Sequence, residues 1–180
     1  QITFKVKPTM NTRFGSVLRT QDYMILNIIT ANRWKRPIYF AVTVPKSNLL
    51  GELSDYMRMD GLVLKLVPFK NWDVSPTHLQ KNLTEVYQYR GLGDESVFFN
   101  KNVMGLLQNY RTAYIQLAEY YARTEKDNAA VKALMVNMEE NIPSDVIPWT
   151  SRILRLFKDA VYAASDQEYI NSLLVEDRPT

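Results

Sequence analysis

The sequence has no cysteine and a single histidine, His78, and these two shortages exclude much catalytic and metal chemistry. Without cysteine there can be no disulfide, no thiolate zinc site and no cysteine nucleophile. With one histidine, a metal site built from several imidazoles is excluded, and a Ser-His-Asp arrangement could use only His78. A metal would have to bind carboxylates and carbonyls, and the sequence has no Asp-rich loop of that type.

Long apolar segments are also missing. The longest runs, Ile38–Val44 and Leu62–Val67, have the length of strands, and a membrane helix needs roughly 18–20 residues. The amino terminus carries no signal-peptide pattern. Since the chain begins with Gln1 and not with Met, we expect it to be a portion of a longer protein.

Charges of the two signs are unevenly distributed along the 180 residues. Residues 1–90 hold 13 Lys or Arg against 6 Asp or Glu, whereas residues 91–180 hold 9 against 13. This shift indicates an internal boundary near residue 90. The basic front half could face anionic lipid, a phosphate-bearing substrate or nucleic acid, or it could be an ordinary solvated surface.

Strand and helix patterns alternate over the first 70 residues. Residues 1–7 alternate apolar with polar side chains, as a half-buried strand does. Residues 24–29 have apolar side chains at helical spacing, and residues 37–44 read as a strand buried on both faces. A short helix over 55–59 and a strand over 62–67 follow. This order predicts a small, three-stranded, mostly parallel βαβαβ sheet.

Local signals place the connections of this front half. Residues 8–15 are expected to form a loop. Thr20 is expected to cap the first helix, and Asp22 in its first turn interacts favourably with the helix dipole.

The second half has helix patterns only, joined by turn-rich segments. One pair of helices fits the tetratricopeptide pattern of large and small side chains, in which small residues allow two helices to approach closely. Asn137 departs from that pattern, and a generic helical hairpin is the alternative. The predicted helices are 76–89, 102–123, 127–140, 149–164 and 167–175, and the residues that fit the repeat are Tyr114, Leu117, Ala118, Tyr121, Ala130 and Leu134.

The predicted organisation is therefore a small α/β subdomain over residues 1–75 and an α-helical, repeat-like subdomain over residues 76–180. We expect the two to pack into one compact unit of α+β/α class.

Three cations and an aromatic residue precede the apolar run at 37–44. Arg33, Trp34, Lys35 and Arg36 could contact a phosphate or a lipid headgroup. Alternatively, Trp34 covers the core and the cations are solvated. These four residues are the candidate contact site.

Catalytic arrangements are weakly supported. The carboxylates of Glu52, Asp55 and Asp60 could act as acid and base, but they could equally cap a helix and hold a turn. His78 has Ser75 and Asp73 nearby in sequence, and a small hydrolase would need these groups to converge. The tyrosines of the helical half could stack on sugars or bases, or fill a helical core.

Several segments together resemble a bacterial family of large polytopic membrane proteins that is similar to protein O-mannosyltransferases, membrane-embedded glycosyltransferases. The resemblance covers nearly the whole chain and is most specific over residues 19–68. The segments that carry it are Arg19–Asp22, Asn32–Val44, Asp60–Val63 and Leu66–Pro68.

The resemblance implies that catalysis belongs to a membrane portion that this chain does not contain, so no catalytic residue and no cofactor is expected here. It implies a periplasmic, non-catalytic accessory domain whose partners are the membrane portion of its own parent chain, an acceptor protein or glycan, and the membrane surface. A carbohydrate- or peptide-binding module is the alternative, and Trp34, Trp72 or Trp149 lining one groove would support it. Nucleic-acid binding is not expected, because the basic residues form no recognisable motif.

Overall fold

The computed structural model describes residues 2–70 and 74–163. Residue contacts divide the chain into two compact units, Gln1–Ser75 and Pro76–Thr180, called here the front unit and the back unit. Asn71, Trp72 and Asp73 and the helix predicted over 167–175 lie outside the described residues. No helix within the described ranges is both long and apolar enough to cross a membrane.

The front unit contains two small antiparallel sheets and one α-helix. β1 and β2 form a hairpin, and the second sheet has the order β3-β5-β4. Short 3₁₀ turns at Lys46–Asn48 and Gly51–Tyr56 lie between β3 and β4. The elements are β1 (Met10–Thr12), β2 (Gly15–Val17), α1 (Thr20–Asn32), β3 (Tyr39–Ala41), β4 (Met57–Met59) and β5 (Val63–Leu66).

The prediction of a mostly parallel βαβαβ sheet is wrong. Both pairs of the three-stranded sheet are antiparallel, and the only parallel contact among the described residues is an isolated bridge between Met59 and Val74. The segment predicted as a helix over 55–59 contains β4 instead. Only residues 60–62 separate β4 from β5. A connection this short allows a hairpin, because a parallel crossover needs a dozen or more residues.

The apolar run at 37–44 was predicted to be a central strand, and this too is wrong. Only Tyr39–Ala41 form a strand, which lies at the edge of the sheet beside β5. Ile38 and Phe40 pack against the core, whereas Tyr39 and Ala41 are exposed. The side chains of this strand alternate between the core and solvent. The sequence does not show this alternation, because Tyr and Ala also count as apolar residues.

Residues 2–7 show the predicted alternation of burial without forming a strand. Ile2, Phe4 and Val6 pack against the front core, which is built on Leu50, Leu53 and their neighbours. The Tyr56 hydroxyl donates to the Thr3 carbonyl at 2.9 Å, and the Lys5 amide donates to a Glu52 carboxylate oxygen at 3.2 Å. Residues 8–15, predicted to be a loop, include β1 and the start of β2.

Gly51 allows this amino-terminal segment to approach closely. Its φ of +56° is left-handed, and a Cβ at this position would lie 2.9 Å from the Lys5 carbonyl oxygen. We therefore expect Gly51→Ala to lower the free energy of unfolding by about 2 kcal/mol, since it adds left-handed strain to a backbone clash. Urea unfolding measures the loss, and Gly91→Ala, where φ is +74° and no atom lies within 4 Å of an added Cβ, is the control for strain alone. An equal loss in both variants would contradict the close-approach argument.

The back unit is helical. α2 and α3 each continue into one wider π-helical turn, Asn82–Val86 and Tyr121–Glu125. Asn100 caps α3 by accepting from the Val103 amide, and Asp127 caps α4 by accepting from the Ala130 amide. The helices are α2 (Pro76–Lys81), α3 (Lys101–Tyr120), α4 (Asn128–Asn141) and α5 (Ser151–Ala163).

α3 and α4 form the predicted helical hairpin. Tyr114 of α3 meets Asn137 of α4, and Arg111 meets Ile142 just beyond it, so the two helices run antiparallel. The residues that fit the repeat pattern are buried or half-buried. Asn137 has a role that a small apolar residue could not fill, because its side-chain oxygen accepts from the buried Tyr114 hydroxyl at 2.8 Å. Whether the hairpin is a true repeat unit stays a prediction.

Candidate functional site

Helix α1 is anchored at its first turn by a buried carboxylate. Asp22 is fully buried, and Arg19, the residue that caps the helix, donates to it through its backbone amide at 3.0 Å and through Nε and Nη2, both at 3.1 Å. The Thr9 hydroxyl also donates to Asp22, and Arg19 Nη1 reaches the Asn48 side-chain oxygen at 2.9 Å. These contacts fix α1 to the segments around residues 9 and 48. Arg19, and not Thr20, is therefore the cap.

The hydrogen bonds from Arg19 hold the pKa of Asp22 below its usual value, although burial acts in the opposite direction. Asp22 therefore stays ionised through neutral pH, and its charge is matched by the Arg19 guanidinium.

Part of the solvent-exposed surface of α1 is apolar, beside the exposed polar residues Gln21, Asn27 and Thr30. Ile25, Leu26 and Ile29 pack against the front core, as helical spacing predicts. Met24 and Ile28, which share the apolar spacing, instead point outward and are 60% and 56% exposed. Tyr23 beside them is 56% exposed. We call Tyr23, Met24 and Ile28 the α1 outer face.

Helix α1 has no charged residue on its exposed side. Its only charged residue is Asp22, which is buried, although 23% of the whole chain is charged. A surface helix normally presents charged and polar side chains to water. A helix that is apolar on one exposed face as well as on its core face is typical of a surface that another molecule covers.

The four predicted contact residues form a tight turn directly after α1. Arg33 and Trp34 both have left-handed backbones, with φ values of 47° and 60°. The Asn32 side chain holds the turn closed, because its amide donates to the Arg36 carbonyl at 2.6 Å and its oxygen accepts from the Arg36 amide at 3.2 Å. The Lys35 amide donates to the Asn32 carbonyl at 2.9 Å. We call residues 33–36 the cationic turn.

Left-handed backbone costs roughly 1–2 kcal/mol at a residue that is not glycine. Two such residues in succession are retained because the two hydrogen bonds from the Asn32 side chain to Arg36 (the Asn32 clamp) and the following strand determine the path of the chain. Strain of this kind often accompanies a functional surface.

All four side chains of the cationic turn are exposed, and Trp34 is 43% exposed. Trp34 therefore does not simply cover the core. Arg33, Lys35 and Arg36 make no ion pair with any residue in the part of the chain that the structure describes. The other cations of the front unit include Arg19, Lys65 and Lys70, which are paired with Asp22, Asp60 and Asp55.

A shallow cleft of about 460 Å³ joins the cationic turn to the exposed side of α1. Asn27, Thr30 and Ala31 line it from the helix, and Arg33 and Lys35 line it from the turn. The cleft thus combines two cations with an amide and a hydroxyl that can donate hydrogen bonds.

The other candidate residues have structural positions. Asp55 forms an ion pair with Lys70 at 2.9 Å, and Asp60 lies 3.9 Å from Lys65. Glu52 accepts from the Lys5 amide. These contacts match the alternative in which the carboxylates stabilise local structure.

The hydrolase arrangement stays a prediction, because Asp73, one of its groups, lies outside the described residues. Ser75 is buried at the end of the front unit, where its amide donates to the Met59 carbonyl at 2.9 Å. His78 is exposed on α2 of the back unit. No group of acidic or histidine side chains that could hold a metal occurs in residues 2–70 and 74–163.

The aromatic residues of the back unit mainly fill its core. Tyr110 makes edge-on contacts with Tyr87 and Tyr89, and the Tyr89 and Tyr114 hydroxyls both reach the Leu83 carbonyl. Burial raises the pKa values of Tyr89 and Tyr114, so both remain neutral donors. This arrangement is that of a satisfied polar core.

Sequence reasoning missed Arg111, which is fully buried in α3. Its guanidinium lies 4.2 Å from the centre of the Trp149 ring, and Nη2 donates to the Ile142 carbonyl at 2.9 Å. Trp149 also packs on Phe157 at 5.0 Å between ring centres, so it belongs to the core of the back unit. The signal was present, because Arg111 is three residues before Tyr114 on the same helical stripe.

The comparisons with known proteins concern the front of the chain. A family described as TMEM260-associated domain 2 matches residues 3–86, a little under half of the chain. No curated protein and no solved structure matches. The matched residues include α1, the cationic turn and both sheets of the front unit. The chain is thus similar, over residues 3–86, to a domain that is named for its association with TMEM260.

Proposed function

We propose that this chain is a non-catalytic accessory domain of a membrane glycosyltransferase-like protein, similar to protein O-mannosyltransferases, and that it lies on the periplasmic side of a bacterial membrane. The front unit docks on the membrane portion of the parent chain through the α1 outer face. The helical back unit is the part that contacts an acceptor protein or glycan.

One observation carries the docking proposal. The α1 outer face is apolar and uncharged, and it lies within residues 3–86, the region similar to a domain named for its association with TMEM260. Interface centres are depleted in charged residues and enriched in Tyr and Met, which is the composition of this face. Docking would remove Tyr23, Met24 and Ile28 from water and would explain why the helix has no charge there.

An exposed apolar surface on the back unit supports the second contact. Phe98 is 89% exposed just before α3, and Val103 and Leu106 are exposed on its first turns. These three residues lie within nine residues of the sequence. Such a cluster is more typical of a partner surface than apolar residues that are scattered singly.

The docking proposal is tested by replacing Ile28 with lysine. The chain is captured on the membrane portion of the parent protein, held in nanodiscs of uncharged lipid. We expect Ile28→Lys to weaken capture at least about tenfold, because it places an ammonium group in an apolar contact. Phe69→Lys, which makes the same change at an exposed apolar residue outside α1, should capture as the wild type does.

Two results would contradict the proposal. Equal capture of Ile28→Lys and Phe69→Lys would remove the α1 outer face from the interface. Sugar transfer by the chain without any membrane portion would show that it is itself an enzyme.

A further inference from the structure

We propose that the cleft between α1 and the cationic turn binds the phosphate of an anionic phospholipid headgroup at the bilayer surface. The proposal rests on the proposed function only in that the domain must lie near a membrane. It assigns a ligand to residues that the docking contact of the α1 outer face does not use.

The electrostatics of the cleft favour a phosphate. Arg33 and Lys35 line it, and Arg36 lies in the same turn. None of the three has an ion-pair partner among the described residues, so each is available to an external anion. Asn27 and Thr30 add neutral donors on the opposite wall. A phosphate has several acceptor oxygens and can use cations and neutral donors together.

The turn is closed by hydrogen bonds before any ligand binds. The two hydrogen bonds between the Asn32 side chain and the Arg36 backbone close it, and its two left-handed residues fix the directions of the side chains. A preorganised site loses less conformational entropy on binding than a flexible loop of the same composition.

The neighbours of the cleft favour a bilayer over a soluble anion. Trp34 is exposed among the cations. Indole rings concentrate at the headgroup level of membranes. Clustered Lys and Arg side chains are attracted to the negative surface of anionic lipid.

The test is flotation of the whole chain with vesicles of equal parts phosphatidylglycerol and phosphatidylcholine, against vesicles of phosphatidylcholine alone. We expect binding only to the anionic vesicles, and loss of it at high salt. Each Lys or Arg near such a surface contributes a factor of about five. The triple variant Arg33→Gln, Lys35→Gln, Arg36→Gln should therefore bind on the order of 100-fold more weakly.

A control variant has the same net charge as this triple variant. Lys101→Gln, Arg152→Gln, Arg155→Gln removes three exposed cations of the back unit and should bind as the wild type does. The first triple variant could lose binding because it folds poorly. A variant that is expected to bind more tightly than the wild type is free of that ambiguity. Asn27→Lys adds a cation to the wall of the cleft and should strengthen binding about fivefold.

Insertion of the indole gives an independent readout. In a chain with Trp72→Phe, lipids brominated near the headgroup should quench part of the fluorescence, and adding Trp34→Phe should abolish that quenching while Trp149, which is packed in the back unit, stays unaffected.

Three results would overturn the proposal: no preference for anionic vesicles, equal loss in both triple variants, or weakened binding in Asn27→Lys. If the first triple instead loses capture on the membrane portion in uncharged nanodiscs, the turn is a protein contact. Ile28→Asn, which removes the apolar side chain without adding a charge, should leave vesicle binding within about threefold of the wild type, since docking and headgroup binding use different residues.

Discussion

Asp22→Ala is expected to lower the free energy of unfolding of the front unit by about 3–5 kcal/mol, because it leaves Arg19 without its partner. Asp22 accepts from the Arg19 amide, from two guanidinium nitrogens and from the Thr9 hydroxyl, so it joins the start of α1 to the segment around Thr9. Urea unfolding of the chain measures the loss. Asp55→Ala removes an exposed ion pair with Lys70 and should change stability little.

The pH dependence of the same interaction has a definite sign. The pKa of Asp22 is lowered in the folded state from an ordinary value of 3.8, so the unfolded state binds the proton more readily. The stability that Asp22 contributes is therefore complete well above pH 3.8 and is lost as the pH falls through the folded pKa. Asp22→Asn should lose this part of the acid dependence. An unchanged acid profile, or equal losses in Asp22→Ala and Asp55→Ala, would contradict the structural role of this carboxylate.

Arg111→Ala should destabilise the back unit by about 3–5 kcal/mol, and Arg111→Met by less than half of that. The alanine variant leaves a cavity beneath Trp149 and an unpaired carbonyl at Ile142. The methionine variant leaves the same carbonyl unpaired but keeps most of the side-chain volume. It also removes a buried positive charge. Burial disfavours that charge and lowers the pKa of Arg111 to about 10.

The Arg111 comparison separates packing from polar contacts. Thermal or urea unfolding of the two variants gives the difference directly. If the methionine variant is as unstable as the alanine variant, the hydrogen bond to Ile142 and the contact with Trp149 dominate, and the packing argument fails.

The helices of the back unit could be predicted because their signals are long and repeated. The expected ranges 102–123 and 127–140 correspond to α3 with its π turn and to α4. Each spans several helical turns, so an error at one residue does not change the pattern. The expected range 149–164 likewise overlaps α5, Ser151–Ala163.

Among the described residues, the strand expected over 62–67 is confirmed as β5 (Val63–Leu66), but the other four strands were missed or given the wrong extent because they are short. Each of these four has only three residues. A period of two cannot be established over three side chains. Their pairing also depends on contacts between distant residues, such as Tyr39 with Lys65, which no local pattern reveals.

The sequence identified the residues of the candidate site but not their conformation. The sequence singled out Arg33, Trp34, Lys35 and Arg36, and the structure shows all four exposed on a closed turn. Neither the left-handed backbone nor the Asn32 clamp follows from these residue types, because left-handed conformations are rare outside glycine. The outward position of Met24 and Ile28 was hidden for another reason: apolar residues at helical spacing predict a core face, and α1 has apolar residues on two faces.

Photo-crosslinking in the longer membrane protein that we propose carries this domain tests the central claim most directly. A photoreactive residue at Met24 of the α1 outer face should crosslink to the membrane-embedded portion of the same protein, and the same residue at Phe69 should not. Crosslinking from Met24 that is no stronger than from Phe69, or that goes only to lipid, would contradict docking through α1.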